Sequence, residues 1–396
     1  MKVKVLIADK FPEKYIEELI SYELDVEYNP KLSEKDLPEA AKDQDILIIR
    51  STKVNAETIK TANKLNLIIR AGAGVNNIDV PAANKRGVYV ANCPGKNSVA
   101  VAELTIGLMI ALDRRIPDNV IDFKNSKWNK NEYSKAEGLK GKTIGIIGVG
   151  NIGKEVAHRA IAMGMNVYGK DISRIEGVQI KDFSEMDQLL PLCDVISIHL
   201  PATPGTTKLF NKVMFGYMKP NTLLINTSRP EVIDEDAMLD AIKEKNIRVA
   251  LDVFNEEPEE KTGTVSSKFQ DNPNIYVTHH IGASTNQAQN SVAEETVNII
   301  KRYLHSGVIE HWVNRAKMTG AQYQLVIKHY DKAGVLASIL DIIKNGNINI
   351  EEIENAIFEG GVAACCTMKL MSPVSSAMLK QMSDNPDVMS VSHVTI

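Results

Sequence analysis

The chain has 396 residues, of which 44% are hydrophobic and 24% charged, and its formal net charge is −4. This length exceeds one ordinary domain and this composition is that of a globular protein, so we expect two or three domains. The mild acidity excludes the clustered basic face of a nucleic-acid-binding protein, and the longest apolar run, residues 99–112, is too short to span a bilayer, so we expect neither nucleic acid nor a membrane as partner.

The first predicted block alternates apolar strands with helices. Strands are predicted at residues 3–8, 46–50, 67–71 and 88–92, and the helices between them include residues 12–21 and 56–62. This alternation predicts a small doubly wound, flavodoxin-like unit.

A strand that runs into three glycines begins the second block. Residues 142–153 read K-T-I-G-I-I-G-V-G-N-I-G, with a helix-forming stretch after Gly148, Gly150 and Gly153. In such a loop one glycine permits a sharp turn, one lets the backbone approach a pyrophosphate, and one lets the helix pack on its strand. The helix N-terminus then stabilises the phosphates through its unpaired N–H groups and its dipole. The pattern predicts a dinucleotide site.

A carboxylate follows where such a site requires one. Residues 165–168 are predicted as the second strand, and Asp171 ends it 18 residues after Gly153. A carboxylate there accepts hydrogen bonds from both ribose hydroxyls and repels a 2′-phosphate, which favours NAD over NADP. The adjacent Lys170 leaves tolerance of NADP open.

The remaining strands complete a nucleotide-binding half. Six strands are predicted near residues 144–148, 166–168, 195–199, 222–226, 249–253 and 275–278. Two long helical segments, residues 98–115 and 287–306, flank them. We predict that the chain leaves the first domain, builds the second and returns.

The pattern changes after residue 322. Strands are predicted at residues 323–329, 348–357, 363–370 and 388–394, and helices at residues 334–345 and 375–383. The order β-α-β-β-α-β predicts a ferredoxin-like fold. Residues 314–320 are the predicted linker.

Cysteine usage indicates the compartment. Cys93, Cys193, Cys365 and Cys366 are scattered without metal-ligand spacing, and the first residues show no signal-peptide pattern. We expect reduced thiols in a cytoplasmic protein and no metal site.

Three polar residues follow strands of the second block, namely Arg229, Glu257 and His280. Ligands of open α/β sheets bind at the carboxyl ends of the strands. Oxidation of a hydroxy acid needs a base for the hydroxyl proton, a role that suits His280, with Glu257 to raise its pKa and orient it. Arg229 can hold the substrate carboxylate. Spacing alone does not select these three, because structural roles are commoner for each residue type.

At these residues the chain closely resembles the D-isomer-specific 2-hydroxyacid dehydrogenases. The similarity runs from about residue 50 to residue 285 and comprises, in chain order, I-I-R-S-T-K-V, R-A-G-A-G-V, N-S-V-A-V-A-E-L-T, R-R-I-P, G-V-G-N-I-G, H-L-P-A-T, I-N-T-S-R, L-D-V-F-N-E-E-P and H-I-G-A-S-T. So many ordered motifs exclude coincidence. The resemblance implies a Rossmann NAD domain, NAD as cofactor and a small-molecule substrate.

The resemblance also implies roles for individual residues. Arg229, Glu257 and His280 are the expected catalytic residues, with His280 as the acid and base. Besides Gly148, Gly150 and Gly153, the expected NAD contacts are Ala73, Asn151, Ile152, Asp171, Leu200, Thr227, Ser228, Asp252, Gly282 and Ala283.

Substrate choice is expected to come from the first block. A phosphorylated three-carbon acid needs cations beyond Arg229. The resemblance implies that the substrate-binding residues are Arg50, Ser51, Arg70, Gly74 and Val75, the last two through backbone N–H groups. Arg114 or Arg115 is a further candidate.

Among the reactions that the resemblance implies, these cations favour the oxidation of 3-phospho-D-glycerate to 3-phosphohydroxypyruvate. This reaction is the first step of L-serine biosynthesis. Two alternatives stay open. A glyoxylate or hydroxypyruvate reductase has a substrate with an uncharged tail and would leave Arg50 and Arg70 unnecessary. A non-catalytic NAD-sensing protein, as in the corepressors of this fold, would not need His280.

The chain departs from the family pattern at four residues. Pro230 and Glu231 stand where glycines are usual, His279 replaces a proline, and Asn76 replaces an aspartate. These departures affect the expected loop geometry and turnover, and they remove none of the reacting groups.

The carboxyl-terminal block resembles an ACT regulatory domain through H-Y-D-K-A-G-V-L and N-I-N-I. Asp331 and Asn349 are the candidate effector residues, and serine is the candidate effector. A unit that only dimerises is the alternative. We expect a homodimer or homotetramer with a substrate-binding domain at residues 1–97 and 287–315, an NAD-binding domain at residues 98–286, and an ACT-like domain at residues 321–396.

Overall fold

The computed structural model describes residues 2–258 and 262–396 of the chain. The chain forms two compact units, Met1–Asn314 and Arg315–Ile396. Among the described residues, every helix is too short or too polar to cross a membrane.

The first sheet of the larger unit has five parallel strands in the order β2-β1-β3-β4-β5. Its strands are β1 (Lys4–Ile7), β2 (Asp25–Tyr28), β3 (Ile46–Ile49), β4 (Leu67–Arg70) and β5 (Tyr89–Asn92). Its helices are α1 (Glu13–Ser21), α2 (Leu37–Ala40), α3 (Ala56–Thr61) and α4 (Val80–Arg86). The sequence pattern did not predict β2, because this edge strand is largely exposed and carries two acidic residues in place of an apolar run.

The second sheet has seven parallel strands in the order β12-β11-β10-β9-β6-β7-β8. Its strands are β6 (Thr143–Ile147), β7 (Asn166–Lys170), β8 (Lys181–Asp182), β9 (Val195–Ile198), β10 (Leu223–Asn226), β11 (Arg248–Leu251) and β12 (Ile275–Val277). The strand order reverses between β6 and β9. A crevice that suits a ligand therefore opens at the carboxyl ends of these two strands.

Eight further α-helices lie in the described part of the larger unit. They are α5 (Ser98–Arg114), α6 (Ile116–Lys124), α7 (Lys130–Tyr133), α8 (Asn151–Ala162), α9 (Met186–Leu189), α10 (Lys212–Tyr217), α11 (Glu235–Lys245) and α12 (Asn286–Ser306). The long predicted helix at residues 98–115 ends where expected, because Arg115 adopts a left-handed conformation with φ of 52°.

The two long helices pack on different sheets. Met109 and Leu112 of α5 lie in the core of the second sheet. Val297 and Ile300 of α12 lie in the core of the first sheet, beside Ile48. The chain therefore returns to the first sheet after it has built the second.

The smaller unit is an antiparallel sheet with two helices. Its elements are β13 (Tyr323–Tyr330), α13 (Val335–Asn345), β14 (Ile350–Ile357), β15 (Ala363–Leu370), α14 (Ser376–Ser383) and β16 (Val388–Thr395). The strand order is β14-β15-β13-β16. The predicted α/β fold with parallel sheets is confirmed, and it is followed by an antiparallel carboxyl-terminal unit.

Candidate active site

The three glycines after β6 occupy three different environments. Gly148 has φ of 89°, and a Cβ atom there would lie 2.6 Å from the carbonyl oxygen of His199. A Cβ atom at Gly153 would lie 2.2 Å from the carbonyl oxygen of Gly148, whereas at Gly150 it would meet nothing within 4 Å. The first glycine thus serves the turn and the third serves helix packing, while the second leaves the backbone open to a ligand.

The N-terminus of α8 is available to an anion. Gly150 is its N-cap residue and supplies no side-chain cap, and the helix begins with Asn151 and Ile152. The first N–H groups of a helix have no partner within it and carry partial positive charge. The open backbone at Gly150 and this uncapped helix end fit the pyrophosphate of a dinucleotide.

Asp171 lies next to this loop, directly after β7. Its carboxylate accepts hydrogen bonds from the backbone N–H of Val149 at 2.6 Å and of Ser173 at 3.2 Å. Partial burial alone would raise the pKa of Asp171, but these hydrogen bonds outweigh burial and lower it. The residue is therefore ionised at neutral pH and can accept hydrogen bonds from ribose hydroxyls.

The loops after β9 and β10 complete the walls of this crevice. The side chain of Leu200 approaches Gly148, and Thr227 and Ser228 are almost buried. The Thr227 hydroxyl lies 2.9 Å from the hydroxyl of Thr105 in α5. The structure therefore brings these predicted NAD residues to the edge of the sheet that carries the glycine loop.

Asp252 anchors the loop that carries His280. It is 1% exposed, and its carboxylate accepts hydrogen bonds from the Thr278 hydroxyl at 2.6 Å, the Ile281 N–H at 2.9 Å and the Gly282 N–H at 2.8 Å. These bonds hold the backbone on both sides of His280, which adopts φ of 51°. A left-handed conformation is uncommon for a residue other than glycine, so the carboxylate fixes an otherwise unfavourable loop geometry.

His280 and Glu257 form a hydrogen-bonded pair. Nδ1 of His280 lies 2.8 Å from Oε2 of Glu257, and the backbone N–H of Phe254 donates to Oε1 of Glu257 at 3.0 Å. The hydrogen bond to Glu257 raises the pKa of His280 above its ordinary value, while partial burial and the charge of Arg229 oppose the shift. Since Glu257 engages Nδ1, Nε2 of His280 is left for a substrate proton.

Arg229 lies beside the loop after β4. A Cβ atom at Gly74 would lie 2.4 Å from Nη2 of Arg229, and Nη1 donates to the carbonyl oxygen of Ser228 at 2.7 Å. In the described part of the chain, the backbone N–H groups of Gly74 and Val75 donate no hydrogen bond. One guanidinium and two backbone donors are thus collected where a substrate carboxylate could bind. The preceding residue, Ala73, accepts a hydrogen bond from Asn92.

Asp9 holds the loop that carries Arg50 and Ser51. It is 4% exposed, and its carboxylate accepts hydrogen bonds from the N–H groups of Arg50 at 2.7 Å, Ser51 at 2.9 Å and Thr52 at 2.9 Å, and from the Ser51 hydroxyl at 2.9 Å. Burial alone would raise the pKa of Asp9, but these bonds lower it. The position of Arg50 at the end of β3 is therefore fixed by a carboxylate at the end of β1.

A cavity of about 470 Å³ is lined by two of the predicted substrate cations and by His280. Arg50, Arg70 and His280 line it, and so do Ala283 and Asn97. Burial, followed by the charges of Arg229 and Arg50, lowers the pKa of Arg70 to about 10. The guanidinium groups are therefore close enough to repel one another, and an anion in the cavity would relieve that repulsion.

Comparison with known proteins agrees with this geometry. Residues 106–282 match the profile of the D-isomer specific 2-hydroxyacid dehydrogenase, NAD binding domain. The chain is 36% identical over 374 residues to the D-3-phosphoglycerate dehydrogenase of Methanocaldococcus jannaschii, an alignment that covers 91% of this chain and 68% of the relative.

The chain belongs to the D-isomer-specific 2-hydroxyacid dehydrogenase family.

Two further similarities place the chain within this dehydrogenase family. It is 39% identical over 316 residues to the D-3-phosphoglycerate dehydrogenase of Archaeoglobus fulgidus, covering 76% of this chain and 58% of the relative. The NAD⁺-bound 3-phosphoglycerate dehydrogenase of Entamoeba histolytica superposes with a TM-score of 0.67 at 29% identity, covering 80% of this chain and 99% of that one. The chain therefore spans only about three fifths to two thirds of the length of these two curated relatives. The predicted family and the NAD cofactor are confirmed, because the matched profile is the NAD-binding domain of these dehydrogenases.

The departures from the dehydrogenase pattern leave the site intact. Pro230 begins a short 3₁₀ turn, Pro230–Val232, and Arg229 before it is extended with φ of −141°. The carbonyl oxygen of Glu231 accepts a hydrogen bond from the Lys208 N–H at 2.7 Å, which anchors the turn. His279 lines a neighbouring cavity of about 880 Å³ together with Glu257. Asn76 lies beside Gly74.

Within one copy of the chain, Arg114 and Arg115 do not line the cavity that contains His280, and their candidacy for the substrate stays a prediction. Both line a separate cavity of about 610 Å³ that also contains Lys142 and Asp194, which precede β6 and β9. These residues lie at the amino ends of the parallel strands, opposite the ligand edge. Arg115 is paired with Asp118 at 3.0 Å.

The two candidate effector residues are far apart within one copy of the smaller unit. Asp331 follows β13 and donates its N–H to Val362, whereas Asn349 precedes β14 and its carbonyl oxygen accepts a hydrogen bond from Met371. In the antiparallel register, Tyr330 pairs with Ala363 and Tyr323 pairs with Leu370. The two residues therefore lie at opposite ends of a sheet whose strands are eight residues long.

Three residues that shape the site were not predicted from the sequence. Asp9 positions the Arg50 loop. Asn226, which is 1% exposed, binds Ser228 N–H at 3.0 Å through Oδ1 and donates to the carbonyl oxygen of Arg229 at 3.0 Å. Glu235, which is 7% exposed, accepts a hydrogen bond from the backbone N–H of Asn255 at 2.8 Å, two residues before Glu257. A polar residue directly after a buried strand, as Asp9 is, was the one usable signal.

Proposed function

We propose that this chain oxidises 3-phospho-D-glycerate to 3-phosphohydroxypyruvate with NAD, the first step of L-serine biosynthesis. The observation that carries the proposal is the shared cavity in which His280 meets the guanidinium groups of Arg50 and Arg70. A substrate that combines a hydroxy acid with a phosphate would place one end at the histidine and the other at the arginines.

His280 acts as the base in this proposal. Its Nε2 takes the hydroxyl proton while the hydrogen bond from Nδ1 to Glu257 at 2.8 Å fixes the ring and stabilises the imidazolium that forms. When bound, NAD supplies the acceptor for the hydride. In the reverse direction the protonated imidazole returns the proton to the carbonyl oxygen.

The carboxylate end of the substrate is held by Arg229, which follows β10 of the second sheet, and by the loop after β4 of the first sheet. Arg229 offers a guanidinium beside Gly74, and Gly74 and Val75 offer backbone N–H groups. A guanidinium together with backbone N–H donors can orient a carboxylate and stabilise negative charge on the adjacent oxygen during oxidation.

Arg50 and Arg70 carry the choice of substrate, with Ser51 beside them. A phosphate near these guanidinium groups satisfies charges that otherwise repel each other. A glyoxylate or hydroxypyruvate reductase would leave the two arginines facing a substrate without a second anionic group. A non-catalytic NAD sensor would have no use for the bond between His280 and Glu257.

The domain assignment is part of the proposal. The packing of α12 on the first sheet supports a substrate-binding domain formed by residues 1–97 and 287–315, and the strand order of the second sheet supports an NAD-binding domain at residues 98–286. The four cysteines are free, which supports a cytoplasmic location.

The carboxyl-terminal unit at residues 321–396 is proposed to be an ACT-like domain that binds an amino acid such as serine. Its strand order supports this assignment. Because Asp331 and Asn349 lie at opposite ends of the sheet, a site that uses both would need two copies related by a twofold axis. The chain is accordingly proposed to be a homodimer or homotetramer.

Steady-state rates with a substrate panel test the function. The panel comprises 3-phospho-D-glycerate, D-glycerate, D-lactate, glyoxylate and hydroxypyruvate, with NAD or NADP, each with and without L-serine. We expect the highest kcat/KM for 3-phospho-D-glycerate with NAD and a decrease on addition of serine. A higher kcat/KM for an unphosphorylated substrate would contradict the assignment, and indifference to serine would contradict the effector proposal alone.

A further inference from the structure

The loop between β1 and α1 closes one side of the cavity that holds the arginines. Lys10, Phe11 and Pro12 line the cavity together with Arg50 and Arg70. Lys10 is exposed, and within the described part of the chain its ammonium group makes no ion pair or hydrogen bond. A third cation therefore reaches the same space as the two arginines.

The cavity has more positive than negative charge. Lys10, Arg50 and Arg70 are the basic residues of the lining, and Asp9 is the one carboxylate among the described lining residues. One carboxylate oxygen of Asp9, Oδ2, accepts hydrogen bonds from the backbone N–H groups of Arg50, Ser51 and Thr52. An excess of two positive charges matches a phosphate dianion.

Arg70 lacks the partners that a buried guanidinium normally has. Its Nε atom is buried and makes no hydrogen bond in the described structure. A buried polar atom without a partner is costly, and a phosphate oxygen in the cavity could accept from it. This observation is independent of Lys10 and points to an anionic ligand in the same place.

The helix that follows the loop adds to this field. α1 has nine residues, and its N-cap residue, Pro12, lines the cavity and supplies no side-chain cap. The positive end of the α1 dipole therefore lies at this wall.

We propose that Lys10 is a specificity-determining residue that completes a phosphate subsite with Arg50 and Arg70. This inference rests on the proposed function, since it assigns the phosphate of the substrate to this wall of the cavity. Lys10 contacts the phosphate and takes no part in the proton transfer at His280.

Three variants test the role of Lys10. Lys10→Gln removes the charge at nearly constant length, Lys10→Arg retains it, and Lys14→Gln removes a charge from an exposed residue of α1 that does not line the cavity. For each protein we would measure kcat and KM with 3-phospho-D-glycerate and with D-glycerate, and the binding of inorganic phosphate by calorimetry.

We expect Lys10→Gln to raise KM for 3-phospho-D-glycerate about tenfold, in keeping with the loss of one charge-assisted contact. The effect on D-glycerate should be several times smaller, and inorganic phosphate should bind more weakly. Lys10→Arg should restore most of the affinity, and Lys14→Gln should behave like the wild-type protein.

Two results separate failure of this inference from failure of the proposed function. If the wild-type protein prefers 3-phospho-D-glycerate but Lys10→Gln changes neither KM nor phosphate binding, the role of Lys10 is refuted and the function stands. If the wild-type protein does not oxidise 3-phospho-D-glycerate but phosphate binding still depends on Lys10, the anion subsite stands and the function is refuted. Equal losses on both substrates would refute the subsite.

Discussion

Oε2 of Glu257 lies 2.8 Å from Nδ1 of His280, although the two residues are separated by 23 positions in the chain. Both follow strands of one parallel sheet, β11 and β12, so they meet at its carboxyl edge. The bond gives His280 its orientation and its raised pKa, and it determines how the reaction should depend on pH.

The pH profile should show the pKa of His280. Oxidation requires the neutral imidazole, so kcat/KM for oxidation should rise with pH through a pKa above the ordinary value of 6.5. Reduction requires the imidazolium, so kcat/KM for reduction should fall as the pH rises through the same pKa. Glu257→Gln removes the group that raises the pKa, and it should therefore move the acidic limb of oxidation to lower pH.

Variants of His280 provide the control for this profile. His280→Ala should lower kcat by at least about a hundredfold while NAD still binds, as measured by fluorescence titration. Undiminished turnover in His280→Ala would contradict the role of His280 as the base. So would an acidic limb of the oxidation profile that stays at the same pH in Glu257→Gln.

Arg50→Ala should discriminate between phosphorylated and plain substrates. Loss of a charge-assisted contact should lower kcat/KM for 3-phospho-D-glycerate about ten- to a hundredfold, with a much smaller effect on D-glycerate. Arg86→Ala is a suitable control, because Arg86 binds backbone carbonyl groups of residues 59–63 away from the cavity. Equal losses on both substrates would defeat the phosphate assignment.

Alanine at two glycines of the loop should separate folding from cofactor binding. At Gly153 the new Cβ atom would meet the Gly148 carbonyl oxygen, and overpacking against backbone should cost about 1–3 kcal/mol of unfolding free energy. At Gly150 nothing lies within 4 Å, so stability should change little, whereas NAD affinity should fall about tenfold because the pyrophosphate loses its close approach. Urea unfolding and NAD titration would measure both effects. Normal NAD affinity in Gly150→Ala would place the pyrophosphate elsewhere.

Asp9→Asn should destabilise the larger unit. The neutral amide would weaken the charge-assisted hydrogen bonds from the N–H groups of residues 50–52 and from the Ser51 hydroxyl, at a cost of about 1–3 kcal/mol at pH 7. Because the pKa of Asp9 is lowered in the folded state, its contribution is present at neutral pH and is lost as the pH falls through that folded pKa, so the two proteins should converge in acid. Urea unfolding at several pH values checks this, with Asp43→Asn as an exposed control. If the difference in unfolding free energy between the wild-type protein and Asp9→Asn does not narrow in acid, the Asp9 carboxylate is not its source.

Local patterns were sufficient for many elements. The buried strands β3 and β4 are continuous apolar runs, and the loop at Gly148, Gly150 and Gly153 is a contiguous motif, so neighbouring residues alone identify them. The edge strands β2 and β8 escaped prediction because exposed strands carry no apolar run.

The arrangement of the site depended on contacts between distant residues. Asp9 binds the loop at residues 50–52, and Glu235 binds Asn255, across separations that no spacing rule covers. A motif in the sequence also does not reveal which end of a parallel sheet its residues occupy. Arg114 and Arg115 lie at the amino ends of the strands, which their motif did not indicate.

The sequence by itself determined the type of each sheet and the dinucleotide loop, because both follow from side-chain chemistry and short-range periodicity. The reacting groups were implied by the resemblance to the dehydrogenases and not by their spacing. Only the tertiary structure decided which cations share a cavity with His280 and which carboxylates hold its loops. Those relationships depend on the order in which parallel strands pair, and strand pairing joins residues that are far apart along the chain.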